Sequence, residues 1–123
     1  MSTSNLIYVF PGQGSQSIGM LSDLSSNFSI VSEIFQEASD ALGIDLWRIA
    51  QEDQEALNLT ENTQPVMLAA GYATYKVLSN EVKLSPVCMA GHSLGEYTAL
   101  VASKSLNFFF GTKNCISKNP LFP

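Results

Sequence analysis

The sequence predicts an α/β protein with parallel strands, and three observations predict it. Two short runs, Leu6 to Phe10 (L-I-Y-V-F) and Pro86 to Ala90 (P-V-C-M-A), are apolar without alternation, as strands covered on both faces are. Each run leads directly into a glycine cluster, and open α/β sheets place their ligands at the carboxyl ends of their strands. Between the two runs the apolar residues recur at helical spacing rather than in alternation.

In chain order, Leu6–Phe10 reads as a buried strand that Pro11 ends. Gly12 to Gly19 (G-Q-G-S-Q-S-I-G) is too rich in glycine for regular structure. Phe28, Val31, Ile34, Phe35, Ala38, Ala41 and Leu42 share one face of an amphipathic helix, with Asn27 as its expected cap and Gly43 as its stop. Asp45 would cap a short helix, Leu46 to Gln51. Residues 52–62 are polar and acidic, anchored by Leu57 and Leu59. Thr63-Gln64-Pro65 reads as the next helix start, with an early proline. The run to Leu78 is apolar nearly all round, which makes it a buried helix, and Gly71 within it implies close packing. After a loop, Glu81 to Ser85, come the second strand and a helix from Glu96 to Ala102, for an order β-α-α-α-β-α. From Lys104 onward helical periodicity is poor, and Phe108, Phe109 and Phe110 are hard to bury on one face. Two strands leave both edges of a parallel sheet open, so the expectation is the front part of a larger domain at residues 1–103, followed by a divergent tail at 104–123.

The chemistry concentrates in Gly91-His92-Ser93-Leu94-Gly95, which sits between the second strand and the last predicted helix. This is the G-x-S-x-G pattern of a strand–turn–helix elbow. A serine at its apex is exposed and its backbone strained, while a Cβ at either flanking glycine would collide with strand or helix. Ser93 is therefore the candidate nucleophile, and the amide of Leu94, at the start of a helix, faces a developing oxyanion. An elbow supplies one oxyanion donor, and the second comes from a loop after an earlier strand. Here that loop is Gly12 to Gln16, and Gln13 would bring its amide. An ordinary glycine turn joining strand to helix has the same local composition.

The chain has 123 residues, 46% hydrophobic and 14% charged, with a formal net charge of −5. That suits one ordered domain and argues against disorder. The six Lys and Arg are scattered, which excludes a nucleic-acid patch. Cys88 and Cys115 make no disulfide framework, and Cys88 reads as a buried, reduced thiol. No metal-ligand cluster is present in the sequence, so no metal and no bound cofactor are expected. The start M-S-T-S-N has neither the basic nor the apolar region of a secretory signal, and no apolar run approaches the ~18–20 residues of a membrane span. With Arg48 as the single arginine, a mitochondrial transit segment is also unsupported. A soluble, freestanding cytoplasmic protein is the expectation.

Three ordered stretches carry a family resemblance: F-P-G-Q-G-S-Q (Phe10 to Gln16), Q-P-V-M-L-A-A (Gln64 to Ala70) and G-H-S-L-G-E-Y-T-A-L (Gly91 to Leu100). Together they resemble the amino-terminal part of malonyl-CoA:acyl carrier protein transacylases and the similar acyltransferase domains of polyketide and fatty acid synthases. The resemblance runs from about residue 6 to residue 103. It implies the amino-terminal part of an α/β-hydrolase-like core, without the ferredoxin-like subdomain that the family inserts later in the chain. It also implies a reaction of fatty acid biosynthesis. Ser93 takes the malonyl group of malonyl-CoA as an ester, over an oxyanion hole of the Gln13 and Leu94 amides, and passes it to acyl carrier protein.

The resemblance further offers Gln64 as a residue near the active site, although it could equally be a helix residue with no such role. His92 is a second tentative substrate contact. The family's base is a histidine far downstream of the serine, and the chain's one histidine, His92, is adjacent to Ser93. Side chains of neighbours in an elbow diverge, so His92 reads as a supporting or packing residue and not as the base. Glu96 suits the helix dipole without a catalytic role. The arginine that holds the free malonyl carboxylate in the family falls near Lys118, and a lysine gives charge without the bidentate fork. A tail of this composition fits a frameshift, a misread exon boundary or a truncation. A serine esterase and an inactive remnant are the competing expectations. Acyl specificity and oligomeric state are not legible.

Overall fold

The computed structural model describes residues 5–115. Strand β1 spans Ile7–Phe10, and the helices α1 (Ser22–Asn27), α2 (Ile30–Leu42), α3 (Leu46–Glu52), α4 (Gln54–Leu57) and α5 (Thr60–Glu81) follow. Strand β2 (Cys88–Gly91) returns the chain beside β1, and α6 (Gly95–Ala102) and α7 (Phe108–Asn114) close the described order. The two strands are parallel, in the register Ile7↔Cys88 through Phe10↔Gly91. This is the parallel α/β arrangement that the two apolar runs and the intervening helical spacing predict.

The helical layer forms around α2, α3 and α5. On α2 the spaced residues Val31, Ile34, Phe35 and Ala38 are all buried. Phe35 meets Trp47 of α3 edge to face, with ring centroids 5.0 Å apart. Gly43 ends α2 with φ 73°, its amide bonded to the Ser39 carbonyl at 2.8 Å, as the sequence predicts of that stop. The Asp45 carboxylate then accepts from the Arg48 amide at 3.1 Å and caps α3. Helix α5 runs for 22 residues, packs against α2 and α6, and has Val66, Leu68 and Ala73 among its buried residues.

Several expectations are corrected. Asn27 does not cap α2: it ends α1, where its side chain donates to the Asp23 carbonyl at 2.9 Å, and Ser29 occupies the cap position of α2. Helix α5 begins at Thr60, a turn earlier than the Thr63-Gln64-Pro65 signal. The Thr63 hydroxyl turns back to the carbonyls of Leu57 and Leu59 instead of capping forward, and Pro65 lies inside the helix. Leu57 is buried as expected, but Leu59 is exposed and anchors nothing. Cys88 is exposed rather than buried, because the described residues cover only one side of β2 there. The segment after Lys104 does fold into a helix. The Asn107 side chain caps α7 by accepting from the Phe110 amide at 3.2 Å, and Phe108, Gly111 and Thr112 face inward while Phe109 and Phe110 stay exposed. Lys118 lies outside the described residues.

Candidate active site

Both strand ends lead to one place. The His92 amide donates to the Phe10 carbonyl at 3.2 Å, so the pairing of β1 and β2 carries on to the first residue beyond β2. The chain then reverses within three residues. The His92 carbonyl accepts from the Gly95 amide at 3.0 Å and the Ser93 carbonyl from the Glu96 amide at 3.0 Å, which starts α6. Ser93 takes φ 57°, a left-handed backbone that a non-glycine residue adopts at a cost. Its side chain is exposed, while Leu94 beside it is fully buried and fixes the turn to the core.

The glycines are obligatory for steric reasons. A Cβ on Gly91 would lie 2.0 Å from the carbonyl carbon of Gly95, and one on Gly95 would lie 2.1 Å from the carbonyl oxygen of Phe10. Backbone occupies both spaces, so neither neighbour can move aside as a flexible side chain would.

The first glycine loop meets this turn directly. A Cβ on Gly12 would stand 2.5 Å from the His92 carbonyl oxygen and 3.3 Å from Ser93 Cβ, so the backbone before Gln13 rests against the elbow. The loop is pinned from its other side. Gln13 Nε2 donates to Thr60 Oγ1 at 3.0 Å, Gln16 Nε2 donates to Asn58 Oδ1 at 3.1 Å, and Gln16 Oε1 accepts from the Gly14 amide at 2.8 Å. Among the described residues, neither the Gln13 nor the Leu94 amide takes part in a backbone-to-backbone hydrogen bond. The elements thus bring the Gln13 loop and the Ser93–Leu94 turn together at one end of the sheet.

Gln64 lies one turn along α5 from Thr60, at the same end of that helix, and is 4% exposed. His92 is exposed and does not pack into the core. Glu96 is exposed in the first turn of α6, where a carboxylate complements the helix dipole. Thr60 and Asn58 are the residues that sequence reading passes over. They come 42 to 47 positions after the loop they hold, and nothing local marks them beyond the polar character of their segment. Among the described residues no group of His, Cys, Asp and Glu could hold a metal ion, and no helix is long and apolar enough to cross a membrane.

The acyl transferase domain family matches residues 7–116, nearly the whole described chain. The chain belongs to that family. The malonyl CoA-acyl carrier protein transacylase of Haemophilus influenzae is 55% identical over 102 residues, which is 81% of this chain and 33% of that protein. Among solved structures, the corresponding transacylase of Coxiella burnetii is 44% identical with a TM-score of 0.90, over 94% of this chain and 37% of that one. A malonyl-transacylase in complex with a type II polyketide acyl-carrier protein is 47% identical with a TM-score of 0.88, over 91% of this chain and 37% of that one. The chain therefore spans about a third of the length of the acyl transferases it matches.

Proposed function

We propose that this acyl transferase chain carries the nucleophile and the oxyanion donors of a malonyl-CoA:acyl carrier protein transacylase of fatty acid biosynthesis. The observation that carries the reading is Ser93 itself, exposed at φ 57° on the turn between β2 and α6, with the Gly12 backbone against its Cβ. The names of the relatives supply the substrates: malonyl-CoA as acyl donor and acyl carrier protein as acceptor. The chemistry requires no metal or redox cofactor, and a cytoplasmic setting suits it.

In the first half-reaction Ser93 Oγ bonds to the thioester carbonyl carbon of malonyl-CoA and releases its proton to a base. The carbonyl oxygen becomes an oxyanion opposite the amides of Gln13 and Leu94, each such donor being worth roughly 2.7–4 kcal/mol in the transition state. The C–S bond then breaks, coenzyme A leaves as a thiolate that takes up a proton, and a malonyl ester remains on Ser93. In the second half the thiol of acyl carrier protein attacks that ester and Ser93 regains its proton. His92 adjoins the nucleophile along the chain and extends into solvent, so the base is assigned to the part of the family chain outside the described residues. Gln64, buried near the start of α5, and His92, exposed beside the nucleophile, are assigned as substrate contacts.

Intact-mass spectrometry of the 123-residue chain after incubation with malonyl-CoA tests the proposal. The expected result is one malonyl adduct, formed slowly because the family's base is not supplied, mapped to Ser93 and absent from Ser93→Ala. Labelling of Ser93→Ala at the wild-type level overturns the nucleophile. Rapid turnover of simple aryl esters without a malonyl adduct replaces the transferase reading with an esterase. An unlabelled chain without a cooperative thermal melt makes it an inactive remnant.

A further inference from the structure

The Gln13 loop is held by a segment that takes no part in the elbow. Asn58 and Thr60 stand on either side of Leu59, where α4 gives way to α5. That joint is tied into the helical layer at several points. Leu57 is buried, the Thr63 hydroxyl reaches the carbonyls of Leu57 and Leu59, and Asn62 Nδ2 donates to the Ala56 carbonyl at 2.9 Å. The far end of the glycine loop is fixed to the same layer. There the Gly19 amide donates to the Ala50 carbonyl at 3.0 Å, and Gln51 Nε2 donates to the Met20 carbonyl at 2.8 Å.

The bonds from the joint act on particular peptides of the loop. The Gln13 amide belongs to the peptide that links Gly12 to Gln13. At one end of it Gly12 rests against the elbow, and at the other Gln13 Nε2 donates to Thr60 Oγ1 at 3.0 Å. The planar peptide cannot turn without breaking one of those contacts. The next amide is handled differently. Gly14 takes φ 111°, and its N–H donates to Gln16 Oε1 at 2.8 Å. Gln16 Nε2 in turn donates to Asn58 Oδ1 at 3.1 Å, which keeps that acceptor in place. The Ser15 amide donates to the Gly12 carbonyl at 3.4 Å. The Gly14 and Ser15 amides are thus both committed within the loop. The Gln13–Thr60 and Gln16–Asn58 bonds are exposed, and such bonds contribute only modestly to net stability. Their effect is on where each N–H points.

We infer that Thr60 and Asn58 are positioning residues for acyl transfer. Thr60 holds the Gln13 peptide with its amide towards the elbow, and Asn58, through Gln16, keeps the Gly14 amide turned away. An oxyanion donor is most effective when it is already in place as charge develops, because nothing then has to reorganise during the step. Neither residue touches the reacting atoms. Their role in catalysis rests on the acyl-transfer reading of Ser93, whereas the loop geometry they impose does not.

The test is single-turnover acylation of the 123-residue chain, read by intact mass over a range of malonyl-CoA concentrations, beside thermal melts. Thr60→Val and Asn58→Ala are each expected to lower the maximal rate about tenfold, less than the ~10²–10³ lost with a whole oxyanion donor. The half-saturating concentration and the melting temperature should stay at their wild-type values. Thr60→Ser and Asn58→Asp keep the oxygen acceptor and are expected to restore the rate. Gln13→Ala retains the backbone amide but loses the bond to Thr60, so Gln13→Ala with Thr60→Val should be no slower than Thr60→Val alone. If Thr60→Val does not fold, Gln13→Ala tests the same bond. Wild-type rates in Thr60→Val and Asn58→Ala overturn the inference. So does a loss that Thr60→Ser does not restore, or a double variant slowed by the product of the two single effects. Amide NMR spectra give a readout that needs no turnover. Thr60→Val should shift the Gln13 resonance, and Asn58→Ala should remove exchange protection from Gly14. A wild-type chain that takes no malonyl overturns the Ser93 reading, and the spectra then decide the loop geometry. Unchanged Gln13 and Gly14 signals overturn that as well.

Discussion

The helical layer and the sheet of this chain are finished to different degrees. In the layer, Val31, Phe35, Leu46 and Leu68 are buried essentially completely, each against helices that come from the described residues. In the sheet, two four-residue strands pair with each other, yet Ile7, Val9 and Val87 remain open, Val87 at 57%. The difference follows from how each element meets its needs. A helix satisfies its backbone internally and has only a stripe to bury, which two or three neighbours can cover. A strand has two edges and two faces, so a parallel sheet of two strands leaves half of those requirements to other chain. The site stands where the layer and the sheet join. The elbow and the Gln13 loop are formed there all the same, because they rest on each other and on the Gln13–Thr60 and Gln16–Asn58 bonds and not on the open edge.

Four substitutions and one chemical modification would sharpen or break that contrast. Phe35→Ala in the finished layer is expected to lower unfolding free energy by about 3–5 kcal/mol in urea titrations. At the junction, Gly95→Ala forces a Cβ to 2.1 Å from the Phe10 carbonyl oxygen, and a loss of about 1–3 kcal/mol is expected by the same measurement.

The two cysteines report on the two regions separately. Burial pushes the Cys115 thiol from an ordinary value of 9.0 up to about 12, whereas Cys88 on β2 is exposed. Iodoacetamide at mild alkaline pH should alkylate Cys88 rapidly and Cys115 only on unfolding, read by peptide mass mapping. The linkage has a definite sign: above about 9 the unfolded chain has lost the Cys115 proton and the folded chain still holds it. Stability should therefore fall as pH rises towards about 12, by about 1.4 kcal/mol per unit, a slope that Cys115→Ala removes. Val9→Ala in the unfinished sheet is expected to change stability by no more than ~0.5 kcal/mol. If it were as damaging as Phe35→Ala, the sheet would be as complete as the layer.

Legibility followed the same division. The strands, the α2 stripe, the Gly43 stop and the Asp45 cap could be read because each depends on neighbours in sequence. So could the elbow: Gly91 is dictated by a backbone collision within its own turn, although Gly95 is dictated by the Phe10 backbone of the neighbouring strand. Helix α7 has no apolar periodicity to read because two of its inward residues, Gly111 and Thr112, are not apolar side chains. Asn107 ahead of Phe108 was the signal that could have exposed it. The exposure of Cys88 is not legible, because an apolar run implies cover on both faces and cover is a tertiary property. The Gln13–Thr60 bond joins residues 47 apart, and no local pattern encodes it.

The positive φ at Ser93 has an evolutionary consequence. Selection for stability and selection for a hydroxyl favour different residues at that position. Glycine would relieve the backbone, and chain drifting without any demand on the hydroxyl would move towards it. A serine held in a left-handed turn is a state that mutation tends to erode. Its presence in a descendant of this chain would record continuing use, and a glycine there would date the loss of it.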